Sequence, residues 1–90
     1  MSEYYKVRVN GMVQGVGYRY FCKRKALEYN ISGFVKNLFS GEVVLEIEGN
    51  SGMIIDFLTE LKRGPIGSYV KEFEIEKLPF ENKFSSFEIL

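Results

Sequence analysis

The stretch Gln14-Gly15-Val16-Gly17-Tyr18-Arg19 combines residue types that can hold an anion. Two glycines at alternate positions let the backbone curl until successive N–H groups converge on one point, and such a nest attracts an oxyanion. A helix beginning directly after it would add its orphan amides and the positive end of its dipole. Arg19 would then lie in the first helical turn, where a cation opposes the dipole unless an anion sits between them. Its guanidinium offers forked donors that match phosphate oxygens. The pattern lacks the Gly-Lys-Ser/Thr of a nucleotide loop and the Gly-x-Gly-x-x-Gly spacing of a dinucleotide turn. By spacing alone it reads equally as a glycine-rich turn with Arg19 at the surface.

What the chain lacks narrows the chemistry. It has no histidine, which removes the usual general base, the usual zinc ligand and every Ser-His or Cys-His pair. Asp56 is the only aspartate, and the glutamates mostly alternate along apparent strands as solvent-facing residues would. A metal site built from carboxylates is not expected from such a set. An enzyme built from it works with arginine, amides and backbone N–H groups. That suits an anionic substrate carrying its own good leaving group.

The elements that must position these groups can be read from periodicity. Tyr5, Val7 and Val9 alternate with Lys6, Arg8 and Asn10, the period of a half-buried strand. From Tyr18 the apolar positions become Tyr18, Phe21, Cys22, Ala26 and Tyr29, one face of a helix running to about Asn30. Cys22 on that face reads as a small buried side chain, since no histidine is present to activate it. Strands follow over Gly33 to Phe39 and Glu42 to Glu48, joined at Ser40-Gly41. In the second, Val43, Leu45 and Ile47 face one way and Glu42, Glu46 and Glu48 the other. Asn50 or Ser51 can cap a second helix carrying Ile54, Phe57, Leu58 and Leu61, which Arg63-Gly64-Pro65 ends. A strand from Tyr69 to Lys77 breaks its alternation between Val70 and Phe73, which points to a bulge. Ser86 to Leu90 can add a short last strand. The order βαββαβ predicts an α+β, ferredoxin-like sandwich, with an antiparallel sheet and both helices on one face.

Ninety residues, 46% hydrophobic with eight Phe and six Tyr, suffice for one packed domain spanning residues 1–90. No apolar run approaches the roughly 20 residues of a membrane span, and the first residues lack a signal-peptide layout. A single cysteine makes a reducing cytoplasm the default location. Residues 1–40 hold seven Lys or Arg against two acids, and residues 41–90 hold five against ten. A site formed by the first half would favour an anion. Lys23-Arg24-Lys25, however, reads as the solvated face of a helix.

Asn10-Gly11-Met12-Val13-Gln14-Gly15-Val16-Gly17-Tyr18-Arg19-Tyr20-Phe21 resembles the signature of the acylphosphatases. Gly33-Phe34-Val35-Lys36-Asn37 with Gly41 and Val43 is similar to the family's second segment, and Glu48-Gly49, Gly64-Pro65 and Phe87-Glu88-Ile89 also match in order. Tyr18 stands where Phe is common, and Ser40 where Asp often precedes the turn glycine. Leu38 and Phe39 take positions that are polar in some members. The resemblance implies hydrolysis of acyl phosphates to carboxylate and inorganic phosphate without metal or cofactor. By motif match, Gln14, Gly15, Val16, Gly17, Tyr18 and Arg19 would bind the substrate, Arg19 holding its phosphate, and Asn37 would hold the attacking water.

Elementary chemistry is consistent with that assignment. A carboxylate departs as a stable anion and needs no proton from an acid, so the missing histidine is no obstacle. Phosphoryl transfer rests on positioning and on stabilising the equatorial oxygens. Inorganic phosphate would be product and inhibitor, and the protein is expected to be a monomer. One rival reading is a module that keeps the phosphate pocket but serves another activity, as in larger carbamoyl-transfer proteins. An RNA- or metal-binding domain of the same fold is the other. Neither paired cysteines nor an aromatic, glycine-rich central strand supports that second rival, and zero net charge argues against a nucleic-acid partner. No membrane partner is expected either.

Overall fold

The computed structural model covers residues 1–90 and has the element order β1 (Ser2–Met12), α1 (Tyr18–Glu28), β2 (Ser32–Asn37), β3 (Val43–Asn50), α2 (Ser51–Arg63), β4 (Tyr69–Leu78) and β5 (Phe87–Ile89). The sheet order is β4-β1-β3-β2-β5. The four strands β4, β1, β3 and β2 are antiparallel throughout, with Val7 opposite Leu45 and Val35 also opposite Leu45. The last strand departs from the expected pattern. It pairs parallel to β2, Phe87 opposite Gly33, so the sheet is mixed at that edge.

The alternation read from β1 and β3 is the alternation found. Val7, Val9, Val35, Val43, Leu45 and Ile47 are fully buried, and against them pack Phe21, Cys22 and Ala26 of α1 and Ile54, Phe57 and Leu61 of α2. Each of the Val, Leu, Ile and Phe side chains among them contributes about 1.5–3 kcal/mol on removal from water. The single cysteine is part of this packing. Burial pushes the Cys22 thiol well above its usual range, which makes it a core side chain rather than a nucleophile.

Local chemistry sets the ends. The Asn50 side chain accepts from the Gly52 N–H at 3.0 Å and starts α2, and the Gly64 N–H returns to the Glu60 carbonyl at 2.9 Å where α2 ends. The register of β1 on β4 shifts after Asn10, which faces Glu72, so that Gly11 faces Val70. Lys71 is thus the extra residue of the expected bulge. Lys23, Arg24 and Lys25 lie along α1 as expected. Arg24 and Lys25 stack over Phe21 at 5.9 and 5.7 Å, and Lys25 also pairs with Glu28.

One expectation about the open face of the sheet is overturned. Glu48 does point away from Val43, Leu45 and Ile47, yet it is not in solvent: only 2% of it is exposed. Between β4 and β5 the chain returns across this face, and Phe84 sets its ring edge-on against Tyr4 and Phe34. The Glu48 carboxylate accepts four backbone N–H groups, those of Glu81, Asn82, Lys83 and Phe84, at 3.2, 2.9, 2.9 and 3.3 Å. Lys83 pairs with Glu46, which also accepts the Tyr4 hydroxyl. A carboxylate that looks like surface in the alternation is the pin of a strap.

Candidate active site

The turn from β1 into α1 is built by two glycines. Gly15 and Gly17 have φ of +75° and +76°, the left-handed region that an L side chain rarely adopts. A Cβ at either position would meet nothing within 4 Å, so the backbone conformation, not crowding, requires glycine there. Gly17 caps α1 without offering a side-chain oxygen. The first backbone bond of the helix runs from the Phe21 N–H to the Gly17 carbonyl at 3.0 Å. From Gly15 to Tyr20 no N–H is paired with a backbone acceptor. A row of free amides at the positive end of a helix is an anion site in waiting.

A small cavity of about 230 Å³ opens on this turn, lined by Val13, Gly15, Gly17, Tyr18, Arg19, Tyr20, Asn37 and Ile89. That is below the range of drug-sized pockets, roughly 300–1,000 Å³, and suits a small polyatomic anion with a water beside it. Arg19 is half-exposed, and its Nη1 donates to the Leu90 carbonyl at 2.7 Å. One arm of the guanidinium is therefore anchored to the end of the sheet. The other donors are left to the cavity.

Asn37 is the last residue of β2, paired with Val43 on the helix-covered face. Its Oδ1 is buried without any hydrogen-bond partner. An unsatisfied buried carbonyl costs about 1–3 kcal/mol. Sequence position alone separates Asn37 from Arg19 by a helix and a strand, and the fold puts them on the same cavity wall.

Tyr18 and Gln14 take part differently from Arg19. The Tyr18 ring is buried beneath the turn, and its hydroxyl donates to the Leu61 carbonyl at 2.8 Å. Burial raises the phenol well above its usual range, so Tyr18 stays neutral. Only its backbone N–H remains for the cavity. Tyr18→Phe should therefore lower stability by about 1 kcal/mol in urea unfolding while leaving turnover intact. A large loss of turnover would mean that the hydroxyl has chemistry to do. Gln14 does not line the cavity, and its Nε2 donates to the Leu38 and Glu42 carbonyls at 2.8 and 2.9 Å. Residue patterning gave no sign of the Leu90 carbonyl or of Ile89 as a wall, because both arrive through tertiary contact; Tyr20, next to Arg19, went unremarked as a wall.

A larger groove, about 810 Å³, lies at the other end of the elements, between the end of α1, the start of β2 and the strap. Its acidic residue Glu48 already accepts four amides. No group of three His, Cys, Asp or Glu side chains comes together anywhere.

Fold and pocket together define a class: a split βαβ domain that presents free amides and an arginine at its first strand–helix joint. A model of the family described as Acylphosphatase matches residues 5–89. An acylphosphatase of Archaeoglobus fulgidus is 42% identical over 84 residues, 93% of each chain. The crystal structure of an acylphosphatase from Bacillus subtilis superposes with a TM-score of 0.94 at 31% identity, covering 100% of this chain and 99% of that one. HypF of T. kodakarensis is similar over 98% of this chain but only 12% of its own, with a TM-score of 0.85 and 30% identity. The chain belongs to the acylphosphatase family, whose reaction is hydrolysis of acyl phosphates.

Proposed function

We propose that the free amides from Gly15 to Arg19, together with the Arg19 guanidinium, hold the phosphoryl group, and that Asn37 orients the water that attacks it. The observation that carries this reading is the buried, unpartnered Oδ1 of Asn37 on the wall of the cavity it shares with Arg19 and the two left-handed glycines. Water oxygen forms a bond to phosphorus as the bond from phosphorus to the acyl oxygen breaks. The carboxylate leaves as an anion, and a phosphate oxygen takes the water's proton. Asn37 has no useful basicity, so its contribution is orientation. Arg19 and the amides stabilise charge on the equatorial oxygens at fixed positions. Inorganic phosphate occupies the same cradle as product and inhibits. No residue of this scheme calls on a metal or cofactor. Residues 1–90 act as one monomeric domain in a reducing cytoplasm, a placement that the free, buried Cys22 supports; no helix is long and apolar enough to cross a membrane.

The test is hydrolysis of acetyl phosphate in the presence of a chelator, with inorganic phosphate as competitor. Turnover that persists with chelator and falls competitively with phosphate is expected. Phosphate binding without turnover would instead favour a recognition module. The similarity to a 12% segment of HypF gives that alternative its footing.

A further inference from the structure

We propose that Gln14 is a positioning residue: its side chain sets the distance between the phosphate cradle and Asn37 and does not touch the phosphate. The inference rests on the roles assigned above to Arg19 and Asn37. Gln14 directly precedes the first left-handed glycine of the cradle. Its single amide nitrogen carries two N–H groups, and both are spent, on the Leu38 carbonyl at 2.8 Å and the Glu42 carbonyl at 2.9 Å. The only other polar atom of the side chain, Oε1, is an acceptor and would repel a phosphate oxygen. As a phosphate ligand the side chain has nothing to offer.

The two carbonyls it holds are the base of the β2–β3 turn. The Leu38 N–H donates to the same Glu42 carbonyl at 2.8 Å, and the Gly41 N–H donates to the Leu38 carbonyl at 3.1 Å. Leu38 follows Asn37 directly, and Glu42 precedes its strand partner Val43. One amide thus ties the loop that holds phosphorus to the turn that ends the water-holding strand. No other side chain makes a hydrogen bond between residues 13–17 and residues 37–43. The chemistry is sensitive to that separation, because a displacement of about 1 Å between reacting groups can cost on the order of a hundredfold in rate.

The test is Gln14→Met, which keeps the bulk and removes both donors without adding charge. Turnover of acetyl phosphate and the dissociation constant of inorganic phosphate are measured well below the melting temperature. The expected result is a kcat at least about tenfold lower, with the phosphate constant within about threefold of the parent protein. A phosphate constant that rises in step with the loss of kcat would make Gln14 a ligand and overturn the proposal. An unchanged kcat beside a lowered melting temperature would make it a mere brace, and would overturn it equally. Should Gln14→Met not fold, Gln14→Asn keeps the amide one methylene short, and the same split between kcat and phosphate binding is required of it. Asn37→Ala serves as the control for the underlying reading. If that variant turns over normally, the role of Asn37 fails, whatever Gln14 does.

Discussion

Replacing Arg19 by alanine is expected to lower kcat/KM for an acyl phosphate by about a thousandfold or more, and to weaken phosphate binding severely. Arginines that stabilise a transferring phosphoryl group are worth about 10³–10⁵ in rate, so about 4 kcal/mol or more of transition-state stabilisation is at stake. The structure gives the residue little redundancy. Its guanidinium is the only cationic group on the cavity wall, and it is held in place through the Leu90 carbonyl. Asn37→Ala should differ in kind. Turnover falls by about a hundredfold or more, since an oriented water is lost, while phosphate affinity stays within a few-fold because the cradle is intact. Titrating each variant with inorganic phosphate alongside initial rates separates the two roles. Parallel loss of binding and turnover in both variants would contradict the division of labour.

The second large effect lies at the other end of the sheet. Glu48→Ala should destabilise the fold by about 2–3 kcal/mol, because hydrogen bonds to a charged acceptor contribute about 1.5–3 kcal/mol each and partial hydration of the released amides offsets much of the loss. Four N–H groups lose their acceptor together, and the strap carrying Phe84 over Tyr4 and Phe34 loses its pin. For a domain of this size that corresponds to a fall in Tm of roughly 10–20 °C. Glu48→Gln keeps one carbonyl oxygen as acceptor and should fall between. Urea unfolding of the three proteins measures it, and a change below about 0.5 kcal/mol for Glu48→Ala would show that the strap holds by its aromatic contacts alone.

Glu48 also shows where the sequence stops being legible. Alternation in Val43 to Glu48 correctly assigns sides of a sheet, because side chains on successive residues must point oppositely. It says nothing about which side a later segment will cover. The same limit explains β5: Phe87 and Ile89 read as a strand, but the choice of parallel pairing on β2 depends on where residues 79–86 can travel. The amphipathic helix faces, a cap at Asn50 or Ser51 and a bulge between Val70 and Phe73 were readable because each rests on spacing within a few residues. The glycine turn before α1 was readable as a turn, but spacing alone left it equally a surface loop; the left-handed conformations of Gly15 and Gly17 belong to the folded chain. The convergence of Asn37 on that cradle was readable only by family likeness. Its physical cause, β2 ending on the wall that α1 begins, exists only in the folded chain. The tie made by Gln14 left no local sign, for its acceptors are backbone carbonyls, which every residue has.

The central claim is that water attacks phosphorus held by Arg19 and the glycine turn, not the acyl carbon. Hydrolysis of acetyl phosphate by this protein in ¹⁸O-enriched water, with chelator present, tests it most directly. Mass analysis of both products should find one ¹⁸O in the inorganic phosphate and none in the acetate; label in the acetate would place the attack at the carbonyl and contradict the account.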